Sequence, residues 1–399
     1  MRVVVVAEFY PSRRDPVMGI WTHRQTLAAR AAGADVRVLV LHRVVPPRAS
    51  LAGHPSTAIH ELALRLREPR EQLPDGLPVT YLPYVSPARQ RSYPTWGAWA
   101  APVLSHALQR LRRDFAFDLV HAHNAVPAGD GVRRALAWTR QRQTPVVVSV
   151  HGGDVLYTTS RFRGGAQAVA DGLGAARLVL ANSEGIAALC RASGARDTRV
   201  VHLGSDVPVR VIPARRDGPA TVVTVAHLVA RKRHGDVLRA LAVLAQRYPS
   251  LRYVIVGDGP ERVALQGLAV RLGVSARVDF LGQLSPQQAI EQARRCTLFV
   301  MPSTEEAFGA GYIEAMAGGV PAIGCRGEPG PEEIAAAGDG MILVPPGDIE
   351  RLSQRIDELL SDPHRLREAG QRARETVARH FTWDRCGRET VAVYEEALR

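Results

Sequence analysis

The sequence predicts an α/β fold with two doubly wound domains of similar size. Short runs rich in β-branched residues alternate with helical segments along most of the 399 residues. These runs are continuously apolar, as expected for strands that a parallel sheet buries on both faces. The alternation pauses once, at Gly204–Ala220, where proline, glycine and arginine are abundant. A chain of this length suits two or three domains of ordinary size.

Strands are expected on both sides of that pause. On the N-terminal side they are Val3–Ala7, Val36–Leu41, Leu119–His121, Val146–Val150, Leu178–Ala181 and Arg199–His202. On the C-terminal side they are Val222–Val225, Tyr253–Val256, Val278–Leu281, Leu298–Met301, Ala322–Gly324 and Met341–Val344. Residues 44–104 are irregular and rich in proline, which predicts an insertion of loops and short elements.

Helices are predicted between the strands. The segment Thr22–Ala32 opens with a capping box of Thr22 and Gln25, and it stops at Gly33. The segments Asp236–Arg247 and Ile349–Leu360 are amphipathic in the same way.

The pause predicts a linker at residues 205–218, between a first domain at 1–204 and a second domain at 219–382. Doubly wound sheets bind ligands beyond the carboxyl ends of their strands. Two such Rossmann-like domains that face each other are therefore expected to hold their ligands in a central cleft.

Composition excludes several classes of protein. Hydrophobic residues make up 46% and charged residues 23% of the chain, so a purely disordered protein is excluded. No apolar run is long enough to span a bilayer, and the N-terminal segment, which enters a valine-rich strand, does not resemble a signal peptide. The four cysteines are scattered without a C-x-x-C, which is typical of reduced thiols in the cytosol. A cytoplasmic location is expected.

The net charge of +12 comes from the first half of the chain. Residues 1–205 contain 26 arginines and 14 acidic residues, whereas the remaining residues are balanced. The asymmetry favours an anionic partner, such as the inner face of a membrane, a polyanion or a phosphorylated acceptor, with a solvated arginine-rich surface as the alternative. Nucleic acid is not expected, because no helix-turn-helix, RNP or KH pattern accompanies the charge.

The segment Trp96–Phe115 could serve such a partner. It is amphipathic, carries two tryptophans and ends in Arg110, Arg112 and Arg113. This pattern is typical of an interfacial helix on anionic lipid, but a core-packed helix with a solvated basic face is the favoured interpretation.

The strongest motif is Pro302–Pro321, PSTEEAFGAGYIEAMAGGVP, which leads from a strand through a loop into a short helix. Glu306 precedes the helix and Glu314 lies inside it. Small residues around Gly309 and Ala310 leave the first helical N–H groups accessible to an anion. Carboxylates at this position suit sugar hydroxyls, with Glu306 on a hexose and Glu314 on a ribose.

A second feature is Lys232, the only lysine in the chain. Every other basic side chain is arginine, so this position favours a compact ammonium over a planar guanidinium.

These motifs resemble those of the retaining GT-B glycosyltransferases of the family-4 type (glycosyl transferases group 1). The segment Pro302–Pro321 is similar to the family's E-x7-E region, and Val225–Leu241 is similar to its stretch for the donor diphosphate. The resemblance continues in four short segments, which are the glycine loop Met18-Gly19-Ile20, VHGGD at Val150–Asp154, VIVGDGP at Val254–Pro260 and VDFLG at Val278–Gly282. Gly347-Asp348 matches a later turn, and the closing segment Phe381–Leu398 resembles the helix, about 383–399 here, that returns to the first domain.

The resemblance implies a role for each matching residue. Lys232, Glu306 and His151 are the implied catalytic residues, and Gly19, His227, Arg231, Phe308, Gly309, Ala310 and Glu314 are the implied donor-binding residues. His227 stands where the family usually has arginine, and Met18 replaces the first of two loop glycines.

The implied activity is metal-independent transfer of a hexose-type sugar, with retention, from a nucleoside diphosphate-sugar to an acceptor hydroxyl. No cofactor is implied, and the acceptor is expected to be lipid-linked or a small molecule in polysaccharide, glycolipid or glycoside synthesis. A nucleotide-sugar epimerase of the same fold and a non-catalytic nucleotide-binding adaptor are the alternatives.

Two further patterns are rejected. Gly257-Asp258-Gly259 with Asp279 imitates a dinucleotide fingerprint, but Pro260 and Glu261 break its continuation. The pair His121-x-His123 with His151 and Asp154 could suggest a metal site. Histidines that line a cleft or are satisfied in the core are the favoured interpretation.

Overall fold

The computed structural model describes residues 1–12, 15–45, 55–66, 71–72, 74–88, 92–209 and 218–399. The described chain forms two compact units. Unit 1 comprises Met1–His202 together with Cys386–Arg399, and unit 2 comprises Leu203–Arg385. The predicted linker lies in part outside the described residues.

Unit 1 contains one sheet of eight strands. They are β1 (Arg2–Ala7), β2 (Asp35–Arg43), β3 (Glu71–Gln72), β4 (Val79–Tyr84), β5 (Leu119–His123), β6 (Val146–Val150), β7 (Leu178–Ala181) and β8 (Thr198–Val200). Their order across the sheet is β3-β4-β2-β1-β5-β6-β7-β8, and every pair is parallel except the two-residue edge strand β3 against β4. Strands β5 and β6 are buried along their whole length, as continuous apolar runs predict.

Helices alternate with the strands of unit 1 along the chain. They are α1 (Ile20–Ala31), α2 (Pro55–Leu66), α3 (Trp96–Asp114), α4 (Asp130–Trp138), α5 (Gly165–Gly174) and α6 (Glu184–Ala192). The last helix of the chain, Trp383–Ala397, supplies unit 1 with Thr390 and Tyr394. Thr390 Oγ1 accepts a hydrogen bond from Gln25 Nε2 at 3.2 Å, and the Tyr394 hydroxyl bonds His121 Nδ1 at 2.7 Å.

The predicted capping box at Thr22 and Gln25 is wrong. Helix α1 begins earlier, at Ile20, because Gly19 has a left-handed backbone (φ 76°) that turns the chain into the helix. Both Thr22 and Gln25 therefore lie inside the helix, where their side chains are buried.

The prediction of an irregular insertion at residues 44–104 is also wrong in part. Strand β4 lies within it and pairs with β2 from Val38–Val79 to Arg43–Tyr84. The other ordered elements there are α2, β3 and the start of α3. Residues 46–54, 67–70, 73 and 89–91 lie outside the described residues.

Helix α3 corresponds to the segment Trp96–Phe115, for which a lipid surface is one of the two interpretations. Its apolar face, including Trp96, Leu104 and Leu108, is buried in unit 1. At its basic end, the guanidinium of Arg112 lies 4.0 Å from the Phe117 ring centroid and donates to Gln141 and Thr144. The helix therefore packs on the core through this face, whereas its second tryptophan, Trp99, is 50% exposed.

Unit 2 contains a six-stranded parallel sheet. Its strands are β9 (Thr221–Val225), β10 (Arg252–Val256), β11 (Val278–Gly282), β12 (Leu298–Val300), β13 (Ala322–Cys325) and β14 (Met341–Val344). Their order is β11-β10-β9-β12-β13-β14. This is the 3-2-1-4-5-6 strand order of the Rossmann fold, which consists of two βαβαβ halves. The strand order reverses between β9 and β12.

The helices of unit 2 complete the doubly wound fold. They are α7 (His234–Leu244), α8 (Arg262–Arg271), α9 (Pro286–Arg295), α10 (Ala310–Ala317), α11 (Pro329–Ala337), α12 (Ile349–Leu360) and α13 (Pro363–His380), and the chain then enters α14 (Trp383–Ala397). Apolar side chains of α7, α8 and α12 form one core with those of the sheet, including Leu238, Leu265 and Ile356.

Two global expectations can be compared with the fold. All four cysteines are buried and unpaired. Within the described ranges, no helix has both the length and the apolarity needed to cross a bilayer.

Candidate active site

The two charged residues singled out in the sequence meet at the point where the strand order of unit 2 reverses. Lys232 ends a single 3-10 turn, Ala230–Lys232, that follows β9, and Glu306 lies in the loop that follows β12. Ligands of doubly wound sheets bind beyond the carboxyl ends of the strands at this reversal. Lys232 Nζ donates to Glu306 Oε2, and both residues are buried, with exposed fractions of 8% and 7%.

Neighbouring segments fix the loop that carries Glu306. The Thr304 N–H donates to the carbonyl of Arg231 at 2.8 Å, which joins the loop to the turn carrying Lys232. The Ser303 hydroxyl donates to Glu306 Oε2 at 2.8 Å. The carboxylate is thus held by two donors.

Glu328 also holds this loop, although it belongs to none of the motifs recognised in the sequence. Its Oε2 accepts the Glu306 N–H at 2.8 Å, and the Gly330 N–H donates to the Glu306 carbonyl at 3.2 Å. Both polar groups of the Glu306 peptide backbone are therefore bonded to the start of α11. No local pattern near Glu328 indicated this contact, because the two residues lie on different loops.

The buried ion pair is electrostatically coupled. Burial lowers the pKa of the Lys232 ammonium, and the adjacent Glu306 carboxylate opposes that shift. Burial raises the pKa of Glu306, but Lys232, Arg231 and the Ser303 hydroxyl outweigh it, so the pKa falls below its usual value. The carboxylate is therefore ionised at neutral pH.

The helix that follows Glu306 begins at Ala310 without a side-chain cap. Gly309 precedes it with φ 85°, and a Cβ atom there would lie 2.4 Å from the Tyr312 ring. The Phe308 side chain is buried against Phe381, with ring centroids 5.7 Å apart. The N-terminus of a helix with this geometry favours an anion.

The remaining predicted residues of unit 2 lie around this helix and the Lys232 turn. His227 and Arg231 are exposed on the segment after β9, whereas Glu314 is half-buried within α10. Arg231 Nη1 lies 3.4 Å from the Glu305 carbonyl, so its guanidinium stays beside the loop that carries Glu306.

Gly19 and His151 belong to unit 1. A Cβ atom on Gly19 would lie 2.2 Å from the Phe9 carbonyl carbon, so only glycine allows this close approach. His151 follows β6 and is half-buried, with its ring centroid 6.2 Å from that of Trp21.

Asp154 anchors the loop that carries His151. Its carboxylate accepts the N–H groups of Ala125 at 2.9 Å and Val126 at 3.2 Å, and the Asn124 amide at 3.3 Å. Burial nevertheless raises the pKa of Asp154 to about 6, against these hydrogen bonds.

The three histidines that could have suggested a metal site hydrogen-bond to other side chains. His121 Nε2 bonds the Ser149 hydroxyl at 2.7 Å, and His123 Nδ1 bonds His151 Nε2 at 2.9 Å. Among the described residues, no group of three or more histidine, cysteine or acidic side chains has the geometry to hold a metal ion.

The glycines of the rejected dinucleotide pattern have a packing role. Cβ atoms on Gly257 and Gly259 would lie 2.0 Å from the Ala226 carbonyl oxygen and 2.5 Å from that of Leu228. Asp279 pairs with Arg252 at 2.6 Å, which occupies the acidic side chain expected for a ribose. These contacts keep the segment after β9 close to the sheet.

Two family descriptions match the chain, one over each half. Glycosyltransferase Family 4 matches residues 17–208, and Glycosyl transferases group 1 matches residues 209–376.

Among curated relatives, the D-inositol 3-phosphate glycosyltransferase of Streptomyces bingchenggensis is 30% identical over 417 aligned positions, covering 94% of this chain and 83% of the relative. An exopolysaccharide phosphotransferase of Streptomyces coelicolor is 36% identical over 160 residues, 40% of this chain and 17% of that protein.

Solved structures resemble the whole chain. Sucrose-phosphate synthase from Thermosynechococcus elongatus has a TM-score of 0.75 at 20% identity, with 99% of each chain covered. Anabaena HepE in complex with UDP and glucose has a TM-score of 0.71 at 19% identity, covering 99% of this chain and 100% of HepE.

Proposed function

Because the chain belongs to the group 1 glycosyltransferases of the family-4 type, which have the GT-B fold, we propose that it transfers a hexose-type sugar from a nucleoside diphosphate-sugar to an acceptor hydroxyl. The reaction retains the anomeric configuration and requires no metal. The acceptor is a lipid-linked or small-molecule hydroxyl in polysaccharide, glycolipid or glycoside synthesis.

The observation that carries this proposal is the buried Lys232–Glu306 pair at the strand-order reversal of unit 2. Cleavage of the donor places negative charge on the leaving diphosphate and positive charge on the anomeric carbon. Lys232 and the open start of α10 stabilise the first charge, in the place of a metal ion. The Glu306 carboxylate holds sugar hydroxyls and stabilises the second.

The other residues bind the donor. The main-chain N–H groups around Phe308, Gly309 and Ala310 meet anionic or hydroxyl oxygens, and Glu314 accepts from the ribose hydroxyls.

Three further residues complete this assignment. Arg231 neutralises phosphate charge, His227 donates a hydrogen bond to a phosphate oxygen, and Gly19 allows the main chain to approach the phosphates closely. His151 contacts the donor sugar.

The first experiment is a thermal-shift panel with UDP, GDP, ADP and NAD, followed by a nucleotide-release assay with the matching nucleotide-sugars. A ligand at 100 times its dissociation constant adds about 2.7 kcal/mol to the free energy of unfolding. We expect one nucleoside diphosphate to stabilise the protein and its sugar conjugate to be turned over. Stabilisation by NAD alone, release of a 2-epimer, or nucleotide binding without any turnover would contradict transfer.

A further inference from the structure

His151 shares a hydrogen bond with a second histidine that the proposed mechanism has not used. His123 Nδ1 and His151 Nε2 are 2.9 Å apart, and the two rings lie edge to edge, with centroids 5.2 Å apart and planes inclined by 8°. His123 is 1% exposed. The two outer nitrogens, His123 Nε2 and His151 Nδ1, are buried and have no hydrogen-bond partner among the described residues.

His123 is itself held in place. It lies two residues after His121 on β5, so the two side chains share one face of the strand, with ring centroids 4.3 Å apart. His121 is fixed at both nitrogens, by the hydroxyls of Tyr394 and Ser149 at 2.7 Å each. The His123 ring therefore presents its Nδ1 to His151 from a constrained position.

Both members of the pair are neutral at pH 7. Burial lowers the pKa of His151 to about 4, and burial together with the neighbouring histidines lowers the pKa of His123 well below its usual value. Each ring therefore carries one proton, and the hydrogen bond between them contains only one of these.

The shared bond couples the two tautomers. If His151 donates from Nε2, His123 accepts at Nδ1 and carries its own proton on Nε2. If His123 donates from Nδ1, both rings must instead adopt the Nδ1–H form. The Nε2–H form is the commoner tautomer of a neutral imidazole, and only the first arrangement gives it to both rings.

We propose that His123 is a positioning residue for His151, which it holds in the Nε2–H tautomer so that Nδ1 keeps its lone pair for a hydroxyl of the bound sugar. The proposal extends the proposed function, since it specifies which nitrogen of His151 the sugar meets. A neutral acceptor nitrogen fixed in this way orients a hydroxyl without carrying charge, and its ring cannot rotate without breaking the His123 bond.

The test begins with the tautomer, which needs no substrate. Histidine labelled with 15N in the full-length protein gives separate signals for protonated and unprotonated ring nitrogens, and a His151→Gln variant assigns the His151 pair. We expect a protonated Nε2 and an unprotonated Nδ1 at pH 7 in the wild type. A protonated Nδ1 on His151 would overturn the proposal, whether or not the protein turns over any nucleotide-sugar.

Two variants of His123 then separate positioning from packing. His123→Phe keeps an aromatic ring at this position but removes the acceptor, whereas His123→Asn places an amide oxygen near the Nδ1 position. We expect His123→Phe to lose the single His151 tautomer and at least tenfold in kcat for nucleotide release from the donor. His123→Asn should keep the tautomer and lie within about threefold of wild type.

His234→Phe is the matched control, because it replaces a buried histidine of unit 2 that makes no hydrogen bond to His151. Its His151 tautomer should remain that of the wild type. A His123→Phe protein that folds and retains both the tautomer and kcat within twofold would overturn the proposal. If His123→Phe does not fold, the proposal is tested by the His151 tautomer of the wild type and by the tautomer and kcat of His123→Asn.

Discussion

At the scale of single residues, Lys232 stands out because it is a buried cation with one carboxylate partner. Transition-state charge on a leaving diphosphate is stabilised most strongly by a fixed donor in a site that excludes water. The same burial makes Lys232 important for stability, since removing one partner of a buried ion pair leaves the other charge uncompensated.

We predict that Lys232→Ala lowers kcat for nucleotide release by at least about 100-fold. It should also lower the free energy of unfolding by about 3–5 kcal/mol, because Glu306 stays buried without its cation. Kinetics and urea unfolding measure the two effects.

The double variant Lys232→Met/Glu306→Gln separates the effect on activity from the effect on stability. It removes both charges, so it should regain much of the stability and none of the activity. A single Lys232→Ala variant with less than a threefold loss in kcat would remove Lys232 from the proposed role.

Gly19 provides a second prediction at this scale. Gly19→Ala must accommodate both a positive φ and a Cβ atom 2.2 Å from the Phe9 carbonyl carbon. Gly33→Ala is the control, because its φ is +105° but nothing lies within 4 Å of the added atom. Gly33→Ala should cost about 1–3 kcal/mol of unfolding free energy.

Gly19→Ala should cost clearly more, and it should weaken binding of the nucleotide identified in the thermal-shift panel. Equal costs for the two variants would show that the contact with Phe9 relaxes freely.

At the scale of elements, strands were predicted most accurately where apolar runs are continuous. Val146–Val150 and Met341–Val344 have the same bounds in the sequence analysis and in the structure. Strand β4 was missed because Pro83 interrupts its pattern in a proline-rich region. The start of α1 was misplaced because a local Thr22–Gln25 pattern imitates a capping box, whereas the left-handed Gly19 determines where the helix begins.

The candidate site was predictable only where a local sequence signal marks the residue. Lys232 could be singled out by composition, and the Pro302–Pro321 motif identified Glu306. The contacts of Glu328 and His123 depend on how separate loops and strands meet, which no local spacing encodes.

Glu328 yields a prediction at the scale of the loop it holds. Glu328→Gln retains an oxygen that can accept the Glu306 N–H, whereas Glu328→Ala removes it. We expect Glu328→Ala to lower kcat about tenfold and Glu328→Gln to lie within about threefold of wild type, measured by nucleotide release. Similar losses in both variants would indicate that the charge of Glu328, and not its hydrogen bond, matters.

At the scale of the whole molecule, buried histidines dominate the expected response to acid. Burial lowers the pKa of His121 to about 3 and that of His234 to about 4, as it lowers those of His123 and His151. The unfolded chain takes up these protons near pH 6.5 and the folded chain does not, so folding is favoured above that pH and loses stability as the pH falls.

We predict that unfolding free energy falls by about 2 kcal/mol for each such histidine between pH 7 and pH 5. Asp154 opposes this in unit 1, because its raised pKa of about 6 lets the folded state bind a proton before the unfolded state does. Urea unfolding across this pH range measures the slope.

A variant of unit 2 provides the control for this slope. His234→Asn should reduce the fall in unfolding free energy between pH 7 and pH 5 by the contribution of one histidine, about 2 kcal/mol. A stability that does not change between pH 7 and pH 5 would show that the buried rings take up protons without unfolding.

The composition of unit 1 has a consequence for how the chain is made. His121 bonds Tyr394, 273 residues later, and Gln25 bonds Thr390, 365 residues later. A ribosome that has released only the first 202 residues has produced the whole sheet of unit 1 but not the helix that satisfies these side chains. Unit 2 is continuous in sequence and can be completed first, so the first half to be synthesised is the last to reach its final structure.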